Sequence, residues 1–184
     1  MHPIPWPGEP ASSGDRAVVA AQIGRDPRGA IAIAARCPYG LPAVVRTSPR
    51  LDDGTPFPTL YYLTCPVAVR LIGRVEASGR MTAYNERLAE DEGLREAYAR
   101  AHEGYVARRD SLEPLNDPSS AGGMPTRVKC LHALYAHEVA DANPIGALVG
   151  PDVEPLEGHC PGACVTDGER VAGHPGYAGK KRRR

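Results

Sequence analysis

Apolar and polar positions alternate in a way that divides the chain into one helix, three strands and a later series of helices. The first helix is predicted over Asp15–Gly24, where apolar residues recur at helical spacing behind a Ser or Asp cap. Runs rich in β-branched and aromatic residues then predict strands over Gly29–Arg36, Leu41–Thr47 and Phe57–Thr64. Because only turn residues separate them, with Asp53-Gly54 as a hairpin signal, we expect a small antiparallel three-stranded meander.

Helical periodicity dominates the second half of the chain. It predicts helices over Pro66–Ser78, Met81–Glu90, Gly93–Arg109 and Pro125–Ala140. One stripe of the third helix is apolar or aromatic, and we interpret it as a core face; its members are Leu94, Tyr98, Ala101 and Tyr105. Strands followed by helices are typical of the α+β class, so the fold predicted is the meander packed against several helices.

Glycine and proline are concentrated at the two ends. Residues 1–14 hold six of them and residues 150–179 hold eleven. This predicts a disordered N-terminus over 1–14, a single α+β domain over 15–149 and a flexible tail over 150–184. With 42% hydrophobic and 24% charged residues, the middle segment can form a real core.

The charge is balanced overall but unevenly distributed. Lys and Arg together number 22, as do Asp and Glu, yet the final five residues are all basic: Lys180, Lys181, Arg182, Arg183 and Arg184. Such an end can contact an acidic partner or nucleic acid, or can simply be a solvated tail. The longest apolar run, Ala30–Ala35, is too short to cross a bilayer, and no export signal is visible, so we expect a cytoplasmic protein.

Five cysteines carry most of the chemical information. An odd number without an export signal argues against a disulfide framework and favours thiolate ligands in a reducing compartment. Cys37 opens a tight turn whose amides can stabilise a thiolate, and Cys65 precedes a helix whose dipole lowers a thiol pKa. We expect Cys37, Cys65 and Cys130 to converge on one metal centre. Cys160 or Cys164, from the tail motif Cys-Pro-Gly-Ala-Cys, would complete it.

The metal itself is left open between zinc and an iron–sulfur cluster. Scattered ligands, three of them followed by proline, are compatible with a cluster, while residue type alone equally permits a four-ligand zinc. His159 is an alternative ligand beside Cys160. The opposing interpretation is that Cys130 is a small buried apolar residue and the other four are unrelated thiols.

Two other functions fit the same residues. In one, Cys65 is a nucleophile with His132 or His137 as its base, and a small anionic or phosphorylated substrate is held at the start of the helix from Pro125 by Arg127 and Lys129. In the other, the protein is a metal-free interaction module that docks a partner through its basic end. No Walker or Gly-x-Gly-x-x-Gly motif is present, so nucleotide binding has little support.

Four stretches of the chain together resemble a known family. They are Arg36-Cys37-Pro38-Tyr39-Gly40-Leu41-Pro42, Pro58-Thr59-Leu60-Tyr61-Tyr62-Leu63-Thr64-Cys65-Pro66, Gly123-Met124-Pro125-Thr126-Arg127-Val128-Lys129-Cys130-Leu131-His132 and Asn143-Pro144-Ile145-Gly146. These are similar to the bacterial family called domain of unknown function 501, over roughly residues 18–149. The resemblance implies a bacterial, cytoplasmic protein and supplies no activity, cofactor or catalytic residue.

Overall fold

A computed structural model of the chain describes residues 1–29 and 31–178 and confirms an α+β fold. The strands are β1 (His2–Pro3), β2 (Glu9–Pro10), β3 (Ile31–Arg36), β4 (Pro42–Thr47), β5 (Tyr61–Leu63), β6 (Val165–Thr166) and β7 (Glu169–Arg170). The helices are α1 (Ser13–Ile23), α2 (Pro66–Ala77), α3 (Arg80–Glu90), α4 (Glu92–Leu112), α5 (Leu131–Ala140) and α6 (Pro144–Val149). Among the residues described, no helix combines the length and apolar character that a membrane span requires.

The predicted meander forms the centre of the main sheet. Strands β3, β4 and β5 pair antiparallel in chain order, with Ile33 opposite Val45 and Arg46 opposite Tyr61. Residues of β3 and β4 are buried on both faces of the sheet. This explains their nearly continuous apolar sequence, since a strand covered on both sides has no solvent face to keep polar.

Helices cover the two faces unequally. On one face α1 contributes Val19, which packs with Ile31, Ile33 and Val45 in a small apolar cluster. The larger core on the other face is filled mainly from α2, α4 and α5, and its fully buried members include Val67, Ile72, Tyr98, Tyr105, Leu131 and Leu134. The aromatic stripe of the helix predicted over Gly93–Arg109 is therefore a core face, as its periodicity indicates.

The first residues, for which composition predicts a disordered N-terminus over 1–14, include two short strands that run along the sheet. Strands β1 and β2 both pair with β3, where His2 lies opposite Arg36 and Glu9 opposite Ile33. Ser12 then caps α1 in a reciprocal capping box with Asp15. Pairing with β3 satisfies backbone hydrogen-bonding groups of this segment, although its proline-rich composition does not predict strands.

The segment after α6 is also placed against the domain as far as residue 178, where the sequence predicts a flexible tail. Short 3₁₀ turns at Gly150–Asp152, Leu156–Gly158 and Pro175–Tyr177 flank the β6–β7 hairpin, which contacts α1. The basic residues Lys180 to Arg184, proposed from sequence as a docking site, lie outside the described residues.

Candidate metal centre

Two of the five cysteines lie at one edge of the meander, where β3 and β5, the strands on either side of β4, end. Cys37 follows β3 and forms the predicted turn, in which its amide donates to the Leu41 carbonyl over 2.9 Å and its carbonyl accepts from Gly40 over 2.9 Å. Cys65 follows β5 and is the N-cap residue of α2, with its amide directed at the Ala43 carbonyl over 3.2 Å. Both thiols are buried, with 6% and 4% of the residue exposed.

The tail brings two more buried cysteines to the same place. Tyr39, in the turn after Cys37, donates its hydroxyl to the Cys160 carbonyl over 2.5 Å. On α1 the Gln22 amide nitrogen lies 3.6 Å from the Cys164 sulfur. The body therefore holds the Cys-Pro-Gly-Ala-Cys loop at both of its cysteines.

Negative charge on Cys37 affects the ionisation of the other three thiols. Burial raises the pKa of Cys65 to about 12, and negative charge on Cys37 and Cys164 contributes to the rise. Burial also raises the pKa of Cys160, with added contributions from Cys164 and Cys37. Burial raises the pKa of Cys164 as well, and negative charge on Cys37 adds to that rise. We call Cys37, Cys65, Cys160 and Cys164 the four-cysteine site.

A histidine that the sequence analysis overlooked adjoins this site. His174 is buried, and its Nε2 lies 3.5 Å from the Cys160 sulfur and 3.2 Å from the Gly162 carbonyl oxygen. Its Nδ1 accepts the amide hydrogen of Gly176 over 3.2 Å, so in the neutral ring the hydrogen is on Nε2, facing the sulfur. His159, the histidine singled out from sequence, is instead exposed.

Two buried polar atoms beside Cys164 lack partners. Gln22 is 1% exposed, and its Oε1 accepts no hydrogen bond from any described residue. The Tyr177 hydroxyl stabilises the thiolate of Cys164, which places it beside that sulfur, yet it makes no hydrogen bond of acceptable geometry with any described residue. Buried polar groups are almost always satisfied, so two such atoms at one site are unusual.

Cys130 does not join the other four, contrary to the convergence predicted for Cys37, Cys65 and Cys130. It is the N-cap residue of α5 and lies beside Glu76, near the C-terminal end of α2, whereas Cys65 lies at the start of that helix. The length of helix between Cys65 and Glu76 corresponds to about 16 Å. Helix α2 thus keeps Cys130 away from the four-cysteine site.

Cys130 belongs to a second group, with Glu76 and His132. Ligand atoms of these three residues lie within 4.8 Å of one another, a spacing that suits one metal ion, and no other group of three described His, Cys, Asp or Glu residues does so. His132 Nδ1 is 3.1 Å from the Glu76 carboxylate, and its Nε2 is 3.0 Å from the Val69 carbonyl oxygen. The amide of Leu131 donates to the same carboxylate over 2.7 Å.

Cys130 and Glu76 both favour the charged form of His132, whereas the charge on Glu76 opposes ionisation of Cys130. A hydrogen bond from His132 holds the pKa of Cys130 below its usual value. Burial alone would lower the pKa of His132, but its hydrogen bonds to Cys130 and Val69 and the charge on Glu76 outweigh burial and raise that pKa to about 9. The sequence analysis did not identify Glu76, which lies 55 positions from Leu131 along the chain.

The structure corrects the expected activation of Cys65. The start of α2 does stabilise its thiolate through the amides of Ala68 and Val67, but burial has the larger effect and the pKa rises instead of falling. His137, one of the bases considered for Cys65, is 1% exposed and stacks on Tyr61 with a centroid distance of 5.7 Å. A nucleophilic Cys65 with His137 as its base therefore has no support in this geometry.

The predicted anion site at Arg127 and Lys129 also differs from expectation. The helix begins at Leu131 and not at Pro125, because the amides of Arg127 and Lys129 donate to the carbonyls of Gly123 and Gly122. Gly123 has φ +97°, and a Cβ there would lie 2.4 Å from the Arg127 carbonyl oxygen, so the loop requires glycine. With those amides occupied, only two exposed side chains remain to attract an anion.

Comparison with family models gives one match. The family described as "Protein of unknown function (DUF501)" matches residues 33–150, which include Cys37, Cys65 and Cys130 but not Cys160, Cys164 or His174. Comparisons with curated proteins and with solved structures gave no match.

Proposed function

The chain belongs to the DUF501 family, and we propose that it binds an iron–sulfur cluster through the four-cysteine site. The observation that carries this proposal is the burial of four thiols, each 4–6% exposed, that come from three separate parts of the chain. Burial raises the pKa of Cys65, Cys160 and Cys164, and negative charge on Cys37 adds to each of these shifts. Thiols whose ionisation is disfavoured by burial stay protonated without a metal, and a bound cation would supply the positive charge that stabilises the thiolates needed for ligation.

The spacing of the sulfur atoms favours a cluster over a single ion. Four thiolates around one zinc, with Zn–S bonds of about 2.3 Å, lie about 4 Å apart. No three of the described Cys, His, Asp and Glu side chains at this site bring their ligand atoms within 4.8 Å of one another. A cluster with several irons bridges a wider set of cysteines, and Cys₄ ligation is the usual arrangement.

The surroundings also support a bound inorganic group. The Nε2 hydrogen of His174 faces Cys160, and the Tyr177 hydroxyl lies beside Cys164 with no other acceptor among the described residues. Hydrogen bonds to cluster sulfurs are a common way in which proteins tune such centres. A cluster would give the Tyr177 hydroxyl an acceptor, and it would offer the His174 hydrogen a second acceptor besides the Gly162 carbonyl oxygen.

Four cysteine ligands leave no position open for a substrate. The proposed cluster would therefore transfer electrons, or would hold the tail against the body in a redox-dependent way, and would not itself bind a reactant. The second role follows from the ligand set, because Cys37 and Cys65 come from the body whereas Cys160 and Cys164 come from the tail.

The direct test is the metal content of the full chain purified without oxygen. We expect iron and acid-labile sulfide in equal amounts, with broad visible absorbance that air or chelators bleach. Replacing Cys37, Cys65, Cys160 or Cys164 by Ala should remove most of the iron. Cys130→Ala is the matched control and should retain it, because Cys130 lies outside the site.

Two results would overturn the proposal. One equivalent of zinc without iron would assign the four-cysteine site to a single ion. Protein that contains neither metal when purified from iron-supplied cells, with all five thiols open to alkylation after unfolding, would show that the site holds no metal.

A further inference from the structure

We propose that Cys130, His132 and Glu76 form a nucleophilic thiolate site that accepts an acyl group from an uncharged ester or thioester. This inference is independent of the four-cysteine site. It concerns the group formed by Cys130, His132 and Glu76, and a metal centre at the four-cysteine site would use none of these residues.

The three side chains have the relationship that an activated cysteine needs. The nucleophile lies beside an imidazole, and that imidazole is fixed by a third group. Here the Val69 carbonyl oxygen can only accept, so His132 Nε2 carries a hydrogen and the ring turns Nδ1 toward Cys130 and Glu76. Because the pKa of His132 is raised and that of Cys130 is lowered, the thiolate–imidazolium pair is favoured near neutral pH.

Local structure positions the sulfur for reaction. Cys130 is the N-cap residue of the ten-residue helix α5, so its sulfur is close to the first-turn amides, among which Ala133 stabilises the thiolate. Cys130 is partly exposed, whereas the other four cysteines are buried. It therefore combines a favoured thiolate with access from solvent.

A cavity of about 320 Å³ opens beside the sulfur and indicates the kind of substrate. Its walls are formed by apolar and hydroxyl-bearing side chains together with the reactive pair: Thr59, Tyr61, Tyr62, Leu63, Val69, Cys130, His132 and Ala133. No described Lys or Arg lines it, and the Glu76 carboxylate already accepts the Leu131 amide at the helix start. Phosphorylated substrates would be repelled there, so an uncharged carbonyl compound fits better.

The chemistry balances with the groups present. The Cys130 thiolate attacks the carbonyl carbon, forming a C–S bond and placing negative charge on the oxygen. When that intermediate collapses, the C–O or C–S bond to the leaving group breaks and the His132 imidazolium gives the leaving group its proton. Water, which loses a proton to the now neutral His132, then hydrolyses the acyl-cysteine to a carboxylic acid and restores the ion pair.

The first test measures alkylation of each cysteine by iodoacetamide in the anaerobic full chain, by peptide mass spectrometry. At pH 6.5 we expect Cys130 to react at least about tenfold faster than any other cysteine, because an ordinary thiol is about 99% protonated there. His132→Gln should slow Cys130 several-fold, because it removes the hydrogen bond that most lowers the pKa of this thiol. His102→Gln, which changes a histidine on α4, is the matched control and should leave the rate unchanged.

Four titratable side chains near Cys130 can influence how its alkylation rate depends on pH. Glu76 on α2, His132 on α5, and Tyr61 and Tyr62 on β5 are the titratable side chains that face Cys130 or line its cavity. If Cys130 titrates like a free thiol, near a pH of about 8.5, and His132→Gln leaves its rate unchanged, the ion pair does not exist. The pH profile of wild-type Cys130 alone keeps the test decisive if the histidine variant fails to fold.

The second test uses p-nitrophenyl acetate as the acyl donor. We expect a burst of about one equivalent of p-nitrophenolate and an acetyl group on the Cys130 peptide, both lost in Cys130→Ser. Absence of the burst in protein whose Cys130 is rapidly alkylated would overturn the acyl-transfer step. Zinc that is retained by Cys65→Ala but lost from Cys130→Ala and His132→Ala would identify a three-ligand metal site in its place.

Discussion

Gly176 packs directly against Pro66. A methyl group on Gly176 would lie 2.9 Å from the proline side chain and 3.0 Å from the Val67 amide nitrogen. Pro66 is the first residue of α2 and follows Cys65, while Gly176 lies two residues after His174. This contact therefore joins the tail to the body next to the four-cysteine site.

Gly176→Ala should loosen the tail. Overpacking of this kind costs about 1–3 kcal/mol, so we expect urea unfolding to show a loss of that size, with reduced iron content. Gly158→Ala is the matched control, because a Cβ there would have no described neighbour within 4 Å. A Gly176→Ala protein with unchanged stability and full iron content would contradict the docking of the tail against α2.

His174→Ala should alter the proposed cluster without removing it. Hydrogen bonds to sulfur stabilise the more negative, reduced form, so losing the one from His174 should make the reduction potential more negative. The measurement is a redox titration of the visible or electron paramagnetic resonance signal. His159→Ala, an exposed change next to Cys160, should leave the potential unchanged. Loss of iron from the His174 variant would make His174 a ligand and contradict the assignment.

Tyr105→Phe should destabilise the core without creating a large cavity. The Tyr105 hydroxyl accepts the buried amide of Leu60 over 2.5 Å, and the variant leaves that donor unpaired. We expect a loss of about 1–3 kcal/mol in the free energy of unfolding. Tyr62→Phe removes a hydroxyl from a side chain that is 38% exposed and should change stability by less than about 0.5 kcal/mol. Equal effects of the two changes would contradict this account.

Asp141→Asn should reveal a pH-dependent contribution to stability. His137, whose Nε2 lies 3.9 Å from the carboxylate, and Arg108, which donates to it over 2.7 Å, hold the pKa of Asp141 below its usual value. A lowered carboxyl pKa stabilises the fold above the unfolded pKa of about 3.9, and this stabilisation is lost as pH falls through the folded pKa. We expect the variant to be less stable by about 2 kcal/mol at pH 7.

Comparing the stability of Asp141→Asn with that of wild type at low pH checks this prediction. As the pH falls through the lowered folded pKa of Asp141, the wild-type carboxyl becomes protonated, so the difference between Asp141→Asn and wild type should shrink toward zero. Asp26→Asn, an exposed substitution, should match wild type at both pH values in denaturant unfolding. A constant difference across this range would show that the charge of Asp141 contributes nothing.

Local sequence signals predict the central fold well. The strand runs and the Asp-Gly turn predict the meander, and the spacing of Tyr98 and Tyr105 predicts the core face of α4, because in both cases the pattern lies within one element. The turn at Cys37 and the helix start at Cys65 are predicted for the same reason.

Features that depend on distant contacts could not be predicted in this way. The segment from Pro125 has a helical pattern, but its Val128 amide donates to Asn85 and its next amides return to Gly122, so the helix starts at Leu131. That shift makes Cys130 an N-cap residue and brings it to Glu76 instead of the other thiols. The tail has the composition of an unstructured segment, and its contacts with α1, with α2 and with Tyr39 place Cys160 and Cys164.

The central claim, a cluster on the four-cysteine site, is tested most directly by native mass spectrometry of the anaerobically purified full chain. We predict a folded species heavier than the polypeptide by the mass of an iron–sulfur cluster, present in wild type and in Cys130→Ala but absent in Cys65→Ala. A wild-type spectrum with only the polypeptide mass, or with the added mass of one zinc ion, would contradict it.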